Sequence, residues 1–265
     1  MAANLLWVAG AYTWSLDFDL TFGLPAKNIA CDQWMLDRAE REAIARERHL
    51  PSQGTGPVEY LRFWQPSNLF VVMGRSGKYL EEVHFQRCHE DGVEVLRRSS
   101  GGGTILTGPG CLMYSVVLSL EERPGLRDIS KAHQFVGQKI CQAFLDCGQA
   151  VELRGYSDVC LGDYKCSGNA LRIGRNHLLY HGTLLLEFAL EEIPYYLRMP
   201  NRRPRYRGSR EHLEFVTNVP VAASELQKAI AQSFGTQRLP MEIDHQQLDH
   251  LVAVRYGQSD WNLKI

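Results

Sequence analysis

The most constraining feature of the sequence is the stretch 97–110, which reads RRSSGGGTILTGPG. Glycine permits positive φ angles and close approach to the backbone, at an entropic cost to the folded chain. Segments rich in Val, Leu and Ile flank the three consecutive glycines, so we predict a functional loop between strands. Exposed N–H groups in such a loop form a cradle for anions, and the two leading arginines add fixed positive charge. The loop therefore predicts a phosphate or carboxylate site at residues 101–103.

This loop matches neither familiar phosphate-binding motif. The sequence has no GxxxxGK[ST], and its glycines lack the GxGxxG spacing that opens a dinucleotide-binding helix. The residues alone therefore identify an anion site without identifying the anion.

Composition limits the class of protein. The chain has 265 residues and a formal net charge of −1, with 45% hydrophobic and 22% charged residues. These values predict one globular domain over residues 1–265 and argue against a general nucleic-acid binder. We also expect no membrane span, because no apolar run approaches about 20 residues. The odd, scattered set of seven cysteines favours reduced thiols and a cytoplasmic location.

Apolar periodicity predicts the order of elements along the chain. We expect Asn28 to cap the first helix, His133 to lie on the surface, and Ile129, Ala132 and Phe135 to belong to a core-facing helix face. The predicted strands span 14–22, 59–64, 69–73, 158–161, 164–173 and 178–188, and the predicted helices span 29–47, 80–91, 128–149, 224–234 and 245–255.

Three positions outside the glycine loop are candidates for a site. Lys165 falls on the central strand of a three-stranded meander, where Gly168 and Ala170 leave room for a ligand beside it. Arg75 follows a buried strand and a glycine, which suits either a ligand contact or an ordinary surface arginine. His181 is isolated near apolar strands, a pattern more typical of a hydrogen-bonded core histidine.

The segment 198–210, RMPNRRPRYRGSR, contains six arginines and two prolines that exclude a regular helix. Such a segment is compatible with a solvated loop, a cover over a phosphate, or a docking site for an acidic protein.

Three motifs together resemble those of lipoate–protein ligases. The glycine loop resembles their RRxSGGG(A/T)V-x-H, residues 165–170 (KCSGNA) match K-x-S-G-x-A, and residues 181–185 (HGTLL) match H-G-T-L-L. The usual histidine after the loop is replaced within LTGPG, and the GRGRxxR-type loop of biotin ligases is absent. The resemblance implies an α/β (α+β) fold of the biotin/lipoate ligase type, with a mixed, largely antiparallel sheet flanked by helices.

The resemblance implies ATP-dependent activation of lipoate or octanoate to acyl-AMP, with Mg²⁺, and transfer to a lysine of a carrier. Lys165 would be the catalytic cation, and Asp158 would contact nucleotide or metal. Implied partners are the lipoyl domain of 2-oxoacid dehydrogenase complexes, the glycine-cleavage H protein, or a separate accessory protein. The predicted residues that bind substrate or nucleotide are Arg75, Arg98, Ser100, Gly101, Gly102, Gly103, Thr104, Ile105, Leu106, Asp158, Ser167, Gly168, Ala170, His181, Gly182 and Thr183.

Two other functions remain open at this point. The same superfamily contains octanoyltransferases that carry the acyl group on a cysteine, but Leu153 occupies one family cysteine position here. Cys147, Cys160 and Cys166 are the remaining candidates; Lys165 would lower the pKa of Cys166, although neighbours in a strand point to opposite faces. The third function is a non-catalytic protein that binds acyl groups or acyl-adenylates.

Overall fold

Two β-sheets organise the chain in the computed structural model, which describes residues 13–17, 19–51, 57–236 and 241–264. The strands are β1 (Thr13–Asp17), β2 (Val58–Trp64), β3 (Phe70–Met73), β4 (Glu94–Arg97), β5 (Ile105–Thr107), β6 (Cys111–Ser119), β7 (Val151–Arg154), β8 (Asp158–Leu161), β9 (Tyr164–Ile173) and β10 (His177–Leu185). The large sheet has the order β1-β2-β6-β10-β9-β8-β7, and the small sheet has the order β4-β3-β5. Only the β1–β2 and β3–β4 pairs are parallel among these strands, which confirms a mixed, largely antiparallel architecture.

Helices cover both faces of the large sheet. They are α1 (Pro25–Glu47), α2 (Tyr79–Glu82), α3 (Phe85–Glu90), α4 (Ile129–Asp146), α5 (Glu192–Tyr196), α6 (His212–Phe215), α7 (Ala223–Phe234), α8 (His245–Leu251) and α9 (Ser259–Asn262). One core packs α1 and the small sheet against one face, and a second core packs α4 and α7 against the other. Every residue of β2 and of β6 is buried, because both strands are covered on two sides.

The first helix begins earlier than the sequence indicated. Pro25 opens α1, where its fixed φ suits the first turn. Asn28 therefore lies inside the helix and does not cap it. Its buried side chain accepts from the N–H of Phe22 at 3.0 Å and from Arg62 Nη2 at 2.7 Å, so it ties the helix to the preceding turn and to β2.

The second long helix corrects two expectations. Asp128 caps α4 by accepting from the N–H of Lys131 at 3.0 Å, which leaves Ile129 in the exposed first turn. His133 is buried rather than on the surface, and its Nδ1 lies 3.0 Å from the Tyr180 hydroxyl on β10.

The predicted meander of β8, β9 and β10 is confirmed, with turns at the expected positions. The apolar stretch after the glycine loop is instead divided between two strands, β5 in the small sheet and β6 in the large one. Within the described residues, no helix has the length and apolarity required to cross a bilayer.

Candidate active site

The glycine loop (residues 98–104) is held from behind by a buried arginine. Arg98 Nη2 donates to the carbonyls of Gly101 and Gly103 at 2.5 and 2.8 Å, and its Nε donates to Ser100 Oγ at 3.0 Å. Burial lowers the pKa of Arg98 to about 10. The expected contact between this guanidinium and a phosphate is therefore revised, because Arg98 is engaged in fixing the loop.

The front of the loop presents backbone donors. Gly101, Gly102 and Gly103 are exposed, and within the described part of the chain their N–H groups have no hydrogen-bond acceptor. Gly102 has φ +87°, and a Cβ on Gly74 would lie only 2.0 Å from the Gly102 carbonyl oxygen. Glycine is thus required at both positions for the loop to lie against the turn that follows β3. The result is a preformed set of donors suited to an anion.

The neighbouring turn, residues 74–77, is fixed by Arg97. Its buried guanidinium donates to the carbonyls of Gly77 at 2.6 Å and Lys264 at 3.0 Å, and it thereby links the turn to the C-terminal residues. The N–H of Arg75 donates to the Ser100 carbonyl at 2.8 Å, while the Arg75 side chain is exposed beside the loop. Arg75 therefore lies at the rim, where it is available to a ligand.

A β-bulge brings Lys165 to the site. Val159 pairs with Ser167 but Cys160 pairs with Lys165, so β9 contains one residue more than β8 at this point. The bulge places Lys165 on the same side as Gly168, and a Cβ on Gly168 would lie 3.7 Å from Lys165 Nζ. The small residue at 168 leaves open the space beside the amine, as the sequence suggested.

The amine of Lys165 is part of a chain of polar contacts. Its Nζ forms an ion pair with Asp158 Oδ1 at 2.7 Å, and the Tyr206 hydroxyl donates to Asp158 Oδ2 at 2.7 Å. Tyr206 belongs to the arginine-rich segment, so this segment is tied directly to the lysine–carboxylate pair. Burial, followed by the hydrogen bond to Asp158, raises the pKa of Tyr206 and keeps its hydroxyl a donor.

Two predicted binding residues lie on the opposite face of the sheet. Ser167 donates to Asn169 Oδ1 at 3.2 Å, and the Tyr114 hydroxyl donates to the same oxygen at 2.7 Å in the core against α4. A Cβ on Gly182 would lie 2.0 Å from Asn169 Oδ1. Ser167 and Gly182 therefore support the sheet from behind. Asn169 also donates to the Ser157 carbonyl at 2.6 Å, which steadies the turn before Asp158.

The other end of the site contains a half-buried histidine. His181 Nδ1 donates to Asp32 Oδ2 at 2.7 Å, and His181 Nε2 shares a hydrogen bond with Ser100 Oγ at 2.6 Å. Asp32 also accepts from Ser115 at 2.7 Å and from Arg62 at 3.1 Å. Burial raises the pKa of Asp32, but His181 and Arg62 outweigh burial, so the pKa is lowered.

The wall between the two ends is mainly apolar. A Cβ on Gly168 would lie 3.8 Å from Ile105 Cγ2, and a Cβ on Gly102 would lie 3.6 Å from Ala170 Cβ. Thr183 is paired with Gly168, and its buried hydroxyl has no hydrogen-bond partner among the described residues. Leu106 lies in the core, and Thr104 donates to Glu82 at the loop's far end.

None of the cysteines has the character of an activated thiol. All seven lie in the described part of the chain as free thiols, and burial raises the pKa of each. The expected lowering by Lys165 is wrong for Cys166, whose pKa is raised to about 12. Its thiol donates to the Val159 carbonyl at 3.3 Å, on the far side of the sheet from the amine.

The described residues contain no cluster of three or more His, Cys, Asp or Glu side chains that could hold a metal ion. Asp158 is the one predicted ligand, and both of its oxygens already have partners. Among the described residues, the predicted site therefore offers a metal ion at most one carboxylate, which is an oxygen ligand of the kind that Mg²⁺ prefers.

A family model described as the lipoyl protein ligase A/B catalytic domain matches residues 25–235. The chain belongs to this family. Lipoate–protein ligase 1 of Staphylococcus aureus is 25% identical over 90% of this chain and 70% of its own length. Lipoate–protein ligase LplJ of Bacillus subtilis is 24% identical over 77% of this chain and 59% of its own length. Octanoyltransferase LipM of B. subtilis is 25% identical over 91% of this chain and 94% of its own length.

Several other relatives in this family are matched over only 44–53% of their length. Among solved structures, a bipartite lipoate protein ligase of Thermoplasma acidophilum superposes with a TM-score of 0.71 and 20% identity over 96% of each chain. A lipoate–protein ligase A bound with ATP superposes with a TM-score of 0.70 and 21% identity over 96% of this chain and 98% of that one. These likenesses establish that the chain has the fold of the lipoate–protein ligase catalytic domain.

Sequence reasoning missed two functional candidates, Asp32 and Tyr206. Asp32 is an acidic residue inside an otherwise buried helical run, NIACDQWML, and a charge in such a place signals a buried partner. Tyr206 lies between two arginines, and no local pattern indicates that it reaches Asp158.

Proposed function

We propose that this protein is an acyl-adenylating ligase, which activates lipoate or octanoate with ATP and transfers the acyl group to a lysine of a lipoyl carrier domain. One observation supports this best: the Lys165 amine, fixed by Asp158, lies beside Gly168 and near Ile105, which directly follows the glycine loop, and the loop's glycine N–H groups have no acceptor among the described residues. Positive charge and backbone donors at one place suit a reaction that builds negative charge on a phosphate.

In the first step, a carboxylate oxygen of the acid bonds to the α-phosphorus of ATP and pyrophosphate leaves. Lys165 would contact both the carboxylate and the phosphate, and the N–H groups of residues 101–103 would hold the phosphate oxygens. Magnesium on the triphosphate would neutralise charge, with Asp158 as the candidate protein ligand. Arg98 acts by keeping the loop in shape, as its hydrogen bonds to the loop carbonyls indicate.

In the second step, the carrier's lysine amine bonds to the acyl carbon, AMP leaves, and the amine releases a proton. This chain needs no nucleophile of its own for that route. The acyl chain would lie along Ile105 and Ala170 towards His181. The Thr183 hydroxyl, which has no hydrogen-bond partner in the described part of the chain, would bind a polar group of the substrate. Gly103, Thr104 and Leu106 contribute through the loop and its packing.

The carrier we propose is a lipoyl domain of a 2-oxoacid dehydrogenase or a glycine-cleavage H protein. The reaction would take place in the cytoplasm, and the third component we propose is a separate accessory protein. A cysteine-dependent octanoyltransferase is the second candidate, because LipM matches nearly end to end. The raised pKa of every cysteine argues against it.

The test combines the protein with ATP, Mg²⁺, octanoate or lipoate and a purified lipoyl domain, and measures the intact mass of the domain. A ligase adds the acyl mass only when ATP is present. A parallel reaction supplies an octanoylated carrier and no ATP. Transfer in that second reaction would replace the ligase by the octanoyltransferase, and no transfer in either would leave only the binding protein.

A further inference from the structure

The six arginines of the segment 198–210 fall into two groups. Three donate hydrogen bonds, two of them to residues outside the segment and one to a residue within it. Arg198 Nε donates to the Val83 carbonyl at 3.2 Å, the buried Arg207 donates to the Arg210 carbonyl at 3.0 Å, and Arg210 Nη1 donates to the Asp163 carbonyl at 2.7 Å. These contacts give the segment a fixed path over the protein surface.

The other three, Arg202, Arg203 and Arg205, are exposed. Across the described ranges, no carboxylate of this chain lies within ion-pair distance of any of them. After burial, the charge of Arg203 is the largest cause that lowers the pKa of Arg207, which reflects like-charge repulsion inside the segment. The chain as a whole has a formal net charge of −1, so this is a local concentration of unneutralised positive charge.

This cluster lies next to the Lys165 end of the site. Tyr206 donates to Asp158, and a Cβ on Gly155 would lie 3.3 Å from the Tyr206 ring and 3.7 Å from Pro204. The segment therefore rests on the turn between β7 and β8. Tyr156, the next residue of that turn, is 85% exposed. We call Arg202, Arg203, Arg205 and Tyr156 the arginine patch.

We infer that the arginine patch is the docking surface for an acidic protein domain, the acceptor that receives the acyl group; this inference rests on the proposed function. Arginine and tyrosine are enriched at protein interfaces, and an acidic surface is the complement of three unpaired guanidinium groups. The acceptor's lysine must reach the acyl group near Lys165. Tyr206, which follows Arg205 in the chain, donates to Asp158, and Asp158 pairs with Lys165. A partner held on the arginine patch therefore lies close to that amine.

The test uses the variant Arg202→Ser/Arg203→Ser/Arg205→Ser and measures acyl-adenylate formation and acyl transfer to the lipoyl domain separately. ATP–pyrophosphate exchange with octanoate should stay within about twofold of wild type. The KM for the lipoyl domain should rise about tenfold, which corresponds to about 1.4 kcal/mol in total, because three weak exposed ion pairs are lost. The salt dependence of transfer should flatten, because screened steering by those charges is gone. Tyr156→Ala should raise the same KM.

The matched control is Arg48→Ser/Arg127→Ser/Lys228→Ser, which removes three exposed charges elsewhere. Equal KM and equal salt dependence in the two triple variants would overturn the inference. The inference would also be overturned if the patch variant lost binding to single-stranded RNA or to anionic vesicles while its transfer to the lipoyl domain stayed unchanged. If wild type forms no acyl-adenylate, the proposed function fails instead. Calorimetric binding of the lipoyl domain to wild type and to the patch variant then decides the docking surface independently.

Discussion

The Lys165 and His181 ends of the site use charged groups in different surroundings. The side chains of Lys165 and Asp158 are 28% and 12% exposed, and this pair is reachable from solvent. At the other end, the side chain of Asp32 is 6% exposed and contacts an imidazole, a guanidinium and a hydroxyl. Partly exposed pairs contribute little to stability, whereas breaking a buried network is costly. Activity and stability should therefore depend on opposite ends of the same site.

The largest effect should come from Asp32→Ala. This change leaves the guanidinium of Arg62 buried without its carboxylate, so the free energy of unfolding should fall by about 3–5 kcal/mol. Urea denaturation measures the change. Asp249→Ala, which removes the exposed partner of Lys27, is the control and should cost less than about 1 kcal/mol. Similar losses in both variants would show that the buried Asp32 network contributes no more to stability than an exposed ion pair does.

Lys165→Ala tests the opposite end. Losing a positioned charge should lower the rate of acyl-adenylate formation by about 10²–10³-fold. The melting temperature should fall less than in Asp32→Ala, because the Lys165 side chain is 28% exposed and Tyr206 still donates to Asp158. Pyrophosphate release and calorimetry provide the two measurements, with Lys228→Ala as the surface control. Near-normal pyrophosphate release would exclude Lys165 from the reaction.

Gly102→Val asks whether the loop between the two ends must keep its shape. The residue has φ +87°, and a Cβ there would lie 2.9 Å from Arg98 Nη2. Backbone strain of about 1–3 kcal/mol should displace the loop and weaken ATP binding by about tenfold or more. Gly148→Val introduces similar strain at φ +77° in open space and should leave ATP affinity unchanged. Equal ATP affinity in both variants would make the glycine run a structural feature only.

The buried end should also make stability depend on pH. Because the folded-state pKa of Asp32 is lowered, its contribution is fully present above the unfolded value of about 3.9 and is lost as pH falls through the folded value. Thermal melts from pH 6 to pH 2 measure this loss. The Asp32→Asn variant lacks the titrating group and should decline less steeply over that range. An identical profile would show that Asp32 is not a source of acid sensitivity.

The smallest effect is expected from the cysteines near Lys165. Cys160→Ser and Cys166→Ser should each keep ATP-dependent transfer within about twofold, because both thiols have raised pKa values and few thiolates. Cys147→Ser completes the series. Mass spectrometry should detect no hydroxylamine-sensitive acyl adduct in wild type. ATP-independent transfer that disappears in one of these variants would reverse the choice between the two enzyme classes.

The sequence predicted those parts of the structure that depend on residues close to one another in the chain. The glycine loop, the β8–β10 meander and the position of Lys165 within it depend on turns and strand propensities over a few residues. The contiguous motifs around Lys165 and His181 also predict Ser167 and Gly182 in the site. Alternation along each strand assigns them to the far face, where they support Asn169.

Long-range pairings could not be predicted in the same way. Asp32 and His181 are 149 positions apart, and Tyr206 and Asp158 are 48 apart. No periodicity indicates which helix face meets which strand, so neither pairing follows from the sequence. Asn28 illustrates the same limit, because its cap-like residue type is used for a tertiary contact with Arg62.

The single additional residue in β9 has a chemical consequence. Strict alternation would put Cys166, rather than Lys165, on the face that carries Gly168 and Ala170. The mismatch between β8 and β9 thus places an amine rather than a thiol on the face that carries Gly168, and this choice depends on strand pairing rather than on residue type. Inserting one residue between Val159 and Cys160 would give β8 and β9 equal lengths at this point. Cys166 would then replace Lys165 on the face that carries Gly168. Labelling of Cys166 by a thiol reagent in that variant, against none in wild type, would reveal the exchange.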